Sequence, residues 1–230
     1  MYSHIFFDLD RTLWDFEKNS HEVLNDLFFE NQLNHRGISD VNLFITVYKE
    51  INEGLWELYR KNKIQKETLR SERFKLSLEK FNIMDNELSV KLGDDYIERC
   101  PQKTHLFPFT HSTLTALKNK YTLHIITNGF EEVQHKKLSN NNLSKYFNSV
   151  VTSEQVGYKK PTKEIFQFSL AQVNAKPSES LMIGDDLKAD IGGARSFGID
   201  QVFFNPDGLS HNEESITHEI QCLSQLLEIL

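Results

Sequence analysis

The chain has 230 residues, a formal net charge of −7 and no basic tract, which argues against nucleic acid held through its phosphates as a partner. No stretch approaches the roughly 20 consecutive apolar residues of a membrane span, and no basic region followed by an apolar run opens the chain, so the expectation is a cytoplasmic protein with no membrane partner. A hydrophobic fraction of 39% with 17 Phe suffices for one large domain or two small ones, and the lone pair Cys100 and Cys222, without a CxxC, reads as two reduced thiols.

In chain order the first predicted element is a short apolar strand, Ile5-Phe6-Phe7, ending in "DLD". Asp8 and Asp10 flank a single Leu9, so an extended chain turns both carboxyls to the same side. Two negative groups that close are costly unless a cation sits between them or one is protonated. Four helical patterns follow. Val23, Leu24, Leu27 and Phe28 mark the first, and Phe44, Val47, Tyr48, Ile51, Leu55 and Leu58 the second. Phe74, Leu78 and Phe81 mark the third, and Leu88, Leu92 and Tyr96 the fourth, all at three- and four-residue steps. Asp15 and Asp40 stand where N-caps are expected, and Asn82 where the third helix stops. The aromatic stripe Phe44, Tyr48, Trp56, Tyr59 is expected in the core of this bundle, with base stacking as the lesser alternative.

All five prolines lie beyond residue 100, and there the texture alternates. A helix near 109–119 leads to Leu123-His124-Ile125-Ile126 and "TNG"; one near 130–140 leads to Ser149-Val150-Val151. One opening with Pro161 in its first turn leads to "SLMIGDD", one near 187–197 leads to "QVFF", and a last helix closes the chain. Short apolar runs separated by helices are the pattern of a parallel sheet covered on both faces, an α/β class. Two domains are expected: an α/β core of 1–14 with 106–230, and a helical insert of 15–105.

The polar residues fall at the carboxyl ends of those strands, where open parallel sheets bind ligands. Asp8 and Asp10 follow the first, Thr127, Asn128 and Gly129 the second, Lys159 and Lys160 the third, and Asp185, Asp186 and Asp190 the fourth. Singly, each has an ordinary alternative: Asn and Gly form turns, aspartates cap helices, and a lysine beside a proline is commonly solvated. Jointly they form a site. Several aspartates around one point suit a hard dication with oxygen ligands, Mg²⁺. A lysine with a threonine and free backbone N–H groups suits a phosphoryl group. An aspartate can attack phosphorus to form an aspartyl-phosphate, and a second can protonate the leaving oxygen and then take a proton from water. The nine histidines show no ligand spacing, so zinc is not expected.

These clusters, in this order, resemble the haloacid dehalogenase-like hydrolase superfamily, in particular its phosphatases with a helical cap inserted after the first motif. "DLDRT", "ITNG", "KKP" and "GDDLKAD" resemble its four motifs. The resemblance implies a Rossmann-like five-stranded sheet of order 5-4-1-2-3 with a four-helix cap domain. It makes Asp8 the nucleophile, Asp10 the acid/base, and Lys160 the charge-neutralising lysine. Thr127, with Asn128 and Gly129, would bind the phosphoryl group. The metal would take Asp8, Asp185 and the backbone carbonyl of Asp10, with Asp190 as the second acidic position of the last motif and Asp186 at a variable one, both behind the ligands. "TNGFEEVQHKKL", "VGYKKPTKEIF" and "GDDLKADIGGARSFGI" are further similar to capped 5′-nucleotidases, including ones acting on pyrimidine nucleotides.

The expectation is therefore a Mg²⁺-dependent phosphatase of a small phosphorylated metabolite, a nucleoside monophosphate above others, acting as a monomer or homodimer. A phosphatase of phosphoglycolate or a sugar phosphate and a phosphosugar mutase are the alternatives. A phospho-Asp signalling receiver is the alternative from another class, but it has no use for Asp10 or for a large helical insert. Arg11, Trp14 and Phe16 open the insert and serve either as substrate contacts or as hinge packing.

Overall fold

The computed structural model describes residues 1–213 and 215–230. Its backbone packing divides the chain into two compact units, Met1–Phe16 with Thr104–Leu230, and Glu17–Lys103.

The first unit is built on a parallel sheet. Strand β1 (His4–Phe7) is central because Ile5, Phe6 and Phe7 are fully buried and have no polar face to offer water. It pairs with β2 (Thr122–Thr127) on one side and β4 (Ser180–Gly184) on the other; β3 (Phe147–Thr152) extends the sheet beyond β2, and β5 (Asp200–Phe204) beyond β4. A sixth strand, β6 (His218–Ile220), adds to β5, so the order is β3-β2-β1-β4-β5-β6. The α/β class and the five-strand order hold, and the strand count is six rather than five. The extra strand escapes a pattern search because it has three residues, of which only Ile220 is buried.

Helices α5 (Thr110–Lys118), α6 (Glu131–Asn140), α7 (Ser153–Val156), α8 (Lys163–Gln172), α9 (Gly193–Ser196) and α10 (Leu226–Ile229) fill the connections. Ile165, Phe166 and Leu170 of α8 pack with Phe6, Ile126, Val151 and Met182 in one core cluster. Three local expectations shift. Helix α8 starts at Lys163 after Thr162, so Pro161 precedes it, and the Lys160–Pro161 peptide is cis. The segment before α9 is a wide π turn over Leu187–Gly192, not a regular helix. The chain closes on a single turn, α10, rather than on a full helix.

The second unit holds α2 (Val41–Arg60), α3 (Lys66–Glu79), α4 (Asn86–Arg99) and most of α1 (Phe16–Glu30). Asp40 caps α2 by accepting the Asn42 N–H at 2.8 Å, and Asp85 caps α4 by accepting that of Leu88 at 2.9 Å. Asn82 takes a left-handed φ of 59° just past α3, the conformation that ends a helix and that Asn tolerates. The interior is aromatic: Phe28 meets Phe44 at 5.8 Å between ring centroids, and Tyr48 meets Phe74 at 4.7 Å and Tyr96 at 5.5 Å. Phe44, Tyr48 and Tyr59 are buried as the periodicity requires; Trp56 is only half-buried and Leu58 is exposed.

Candidate active site

Strand order reverses at β1, whose neighbours β2 and β4 lead to opposite edges, and Asp8 begins the chain's exit from that strand. The Asp8 N–H donates to Ile183 O of β4 at 2.9 Å, which fixes the backbone under the carboxyl. Lys160 is 2% exposed and its ammonium has three partners: Asp8 Oδ1 at 2.6 Å, Asp190 Oδ1 at 2.6 Å and the Ile126 carbonyl at 2.7 Å. Its main chain is clamped by the Asn128 carboxamide, which donates to Lys160 O at 3.0 Å and accepts the Lys160 N–H at 2.8 Å. The loop after β2 thus sets the height at which the lysine from the loop after β3 reaches the end of β1.

Asp8, Asp185 and Asp190 each offer a carboxylate oxygen within 4.8 Å of the others. Burial drives the Asp8 carboxyl up, Lys160 offsets part of that and Asp190 adds to it, leaving it at about 7. Asp185 is raised well above the usual carboxylate range by burial and then by Asp8 and Asp190. Asp190 is raised by burial, with Lys160 opposing. For Lys160, burial alone would lower the ammonium; Asp190 and Asp8 outweigh it and hold it above its ordinary value. Three acids that resist ionising together are a site short of positive charge, which a dication could supply.

The geometry around them is exacting. Thr12 donates its hydroxyl to Asp185 Oδ1 at 3.0 Å. Asp190 Oδ2 accepts the Asp186 N–H at 3.1 Å, and a Cβ on Gly184 would sit 2.2 Å from that same oxygen, so only glycine fits there. Asp186 turns away from the cluster and caps the following turn, accepting the N–H groups of Lys188 at 2.9 Å and Ala189 at 2.8 Å.

The Asp10 carboxyl is held on another side, by α6. Lys137 Nζ lies 2.5 Å from its Oδ1, and Gln134 Nε2 donates to its Oδ2 at 2.8 Å. The Gln134 amide also donates to Thr127 Oγ1 at 2.7 Å, and Thr127 Oγ1 in turn accepts the Gly129 N–H at 3.1 Å. A Cβ on Gly129 would lie 2.3 Å from Gln134 Nε2, so the glycine of "TNG" is what lets the glutamine through. Lys137 is 4% exposed and stands 4.2 Å from the Trp14 ring centroid.

The structure therefore brings Asp8, Asp185, Asp190 and Lys160 together, with Asp10 and Thr127 joined through Gln134. Asn128 is engaged by the lysine backbone, and Asp186 serves as a cap. Three participants have no assigned place in the sequence reading: Thr12, Gln134 and Lys137. The last two lie three residues apart on the buried face of α6, and polar residues on an inward helical stripe are the available signal.

An acid at the tip of the central strand, a lysine bridging two acids and an acid pair after β4 define a hydrolase of the α/β class. The sequence pattern of the haloacid dehalogenase-like hydrolases matches residues 5–204, and the chain belongs to that family. It is 32% identical over its full length to YfnB, an HAD-hydrolase of Bacillus subtilis, covering 95% of it. A magnesium-bound crystal structure of YfnB superposes with a TM-score of 0.90, covering 100% of this chain and 98% of that one. Pyrimidine 5′-nucleotidase PynA of Streptococcus pneumoniae is 32% identical over 100% of this chain and 95% of its own, and pyrimidine 5′-nucleotidase YjjG of Escherichia coli 30% over 95% and 96%. Among the described residues, no helix is long and apolar enough to cross a membrane.

Proposed function

We propose that the chain is a Mg²⁺-dependent phosphomonoester hydrolase that works through an aspartyl-phosphate on Asp8, with pyrimidine nucleoside 5′-monophosphates as its substrates. The observation that carries the reading is the disposition of the Asp8 carboxyl. Its Oδ1 accepts the buried Lys160 ammonium at 2.6 Å beside Asp185 and Asp190, and a carboxylate held in that way can attack phosphorus. Asp8 and Asp185, joined by Asp190 at the base of the cluster, fit a hard dication: the donors are all carboxylate oxygens, close together and deficient in positive charge. Bound there, Mg²⁺ would neutralise charge on the phosphoryl oxygens.

The rest is done by the chain's own residues. Lys160 offsets part of the cost of ionising Asp8 and fixes its Oδ1. Asp10 gives its proton to the leaving oxygen as the Asp8–phosphorus bond forms and the old ester bond breaks; it then takes a proton from the water that cleaves the acyl phosphate. Thr127, fixed between the Gly129 N–H and Gln134, borders the phosphoryl position. The helical insert after the first motif is the part of the chain assigned to leaving-group selection. The pyrimidine nucleotide assignment is supported by the two nucleotidase relatives that match along nearly the whole chain.

A panel of phosphorylated metabolites tests it: pyrimidine and purine nucleoside 5′-monophosphates, sugar phosphates and phosphoglycolate, each with Mg²⁺ and with chelator. Highest kcat/KM on a pyrimidine nucleotide, abolished by chelator, is expected. Hydrolysis that is indifferent to chelator removes the metal, and a sugar phosphate leading the panel removes the nucleotide.

A further inference from the structure

Asp10 is tied down more firmly than its neighbours require. Both of its carboxylate oxygens are occupied by α6, one by the Lys137 ammonium at 2.5 Å and the other by the Gln134 amide at 2.8 Å. The two lysines of that helix contrast sharply: Lys136 is exposed, and Lys137 is 4% exposed. Burying an ammonium has an effective cost of several kcal/mol unless its partners are well placed. Asp10 and the face of Trp14 are the partners given to it.

We propose that Lys137, with Gln134, is the positioning pair of the reaction, fixing which lone pair of the Asp10 carboxyl is presented to the leaving oxygen and to water. This rests on the reading of Asp10 as the acid/base. An ammonium and an amide N–H can only donate to a carboxyl; neither receives its proton. A proton that Asp10 passes on or takes back can therefore use only a lone pair that neither of them occupies. In the first half-reaction the Asp8 oxygen–phosphorus bond forms, the ester bond breaks, and that proton passes from Asp10 to the departing oxygen. In the second, a water oxygen bonds to phosphorus, the acyl phosphate bond breaks, and a water proton returns to the same lone pair. Lys137 takes no part in the transfer, so the step balances without it. Gln134 adds a second link: its amide donates to Thr127 Oγ1 at 2.7 Å as well as to Asp10, which registers the proton donor against the loop after β2.

The test is a double-mutant cycle read with two leaving groups. Lys137→Met, Asp10→Asn and the double variant are assayed for the first half-reaction, the pre-steady-state release of the leaving group, with p-nitrophenyl phosphate, whose leaving group departs without a proton, and with the alkyl phosphate the enzyme turns over fastest. Lys137→Met is expected to lower the rate of that first step on the alkyl phosphate by about 10²-fold, with the half-saturating concentration within about threefold, and to lower it less than about fivefold on the aryl ester; hydrolysis of the shared phospho-Asp8 intermediate, which also uses Asp10, should slow equally whichever ester formed it. In the Asp10→Asn background it should change neither rate by more than about twofold, because a residue acting through Asp10 has nothing left to act on. Equal losses on both esters, or a loss that multiplies that of Asp10→Asn, would overturn the proposal. If instead Asp10→Asn itself fails to discriminate between the two esters, the acid/base reading falls, and this result is distinct from the others. Gln134→Met leaves the ammonium in place and should show the same leaving-group pattern at about 10-fold; an unchanged alkyl phosphate rate in this variant also counts against the pair.

Discussion

Replacing Lys160 by Met keeps the aliphatic stem and removes the charge. In the native chain that ammonium is bound by Asp8, Asp190 and the Ile126 carbonyl within 2.7 Å, out of contact with solvent. Its loss removes from the cluster of three carboxyls the ammonium that contacts both Asp8 and Asp190. Breaking a buried pair from one side costs about 3–5 kcal/mol when the remaining charge cannot escape. Here escape is by protonation, so the cost depends on pH, and its sign follows from Asp8. The Asp8 carboxyl, at about 7 when folded and ordinarily near 3.8, binds its proton more tightly in the folded chain. Its contribution to stability is therefore full below about 4 and is lost as pH rises through about 7. Lys160 is the group that opposes this shift, so the variant loses more on the alkaline side. Thermal unfolding in chelator should show the variant near the native chain at pH 5 and lower by roughly 10 °C at pH 8, from about 2–4 °C per kcal/mol at this chain length. Added Mg²⁺ should return more stability to the variant than to the native chain. A variant as stable as the native chain at pH 8 without metal would refute the reasoning.

Other expectations concern single groups. Gly129→Ala drives a Cβ to 2.3 Å from the Gln134 amide, so circular dichroism should record a loss of about 1–3 kcal/mol and assays a fall in turnover. His124 is fully buried between His4, Ser149 and Phe6, and burial, then His4, lowers it from 6.5 to about 4. A depressed histidine resists the proton that the unfolded chain accepts, so its contribution holds above about 6.5 and drains away as pH falls towards 4, by about 3 kcal/mol in all. His124→Asn should flatten stability against pH in that window, as followed by urea unfolding. Asn128→Ala releases the Lys160 main chain from two hydrogen bonds, and kcat should fall about 10²-fold with all substrates alike, measured on both aryl and alkyl phosphates.

Much of the fold and of the candidate site's arrangement is legible in the sequence because the clustered polar residues sit where strands end. Asp8, Asp10, Thr127 and Asp185 each end or follow a short apolar run, Lys160 comes from the loop beyond β3, and a parallel sheet brings such ends to one rim. What escaped is held by side-chain reach rather than by period. Lys137 and Gln134 look like ordinary polar residues of a surface helix until α6 is docked with that face inward. Asn128 reads as a turn former, yet its amide grips the Lys160 backbone 32 residues on. Strand β6 exists because β5 offers it an edge, and its own three residues carry no alternation. The π turn over Leu187–Gly192 places Asp190 back over Gly184, a geometry that no helical spacing announces.

The central claim is a covalent one, and it can be read at a single residue. Enzyme mixed with its best phosphate ester in Mg²⁺, quenched during turnover and reduced with borohydride, should yield an N-terminal peptide in which residue 8 alone has become homoserine. The same peptide recovered unmodified while phosphate is being released, or reduction found at Asp10 or Asp185 instead, would contradict it.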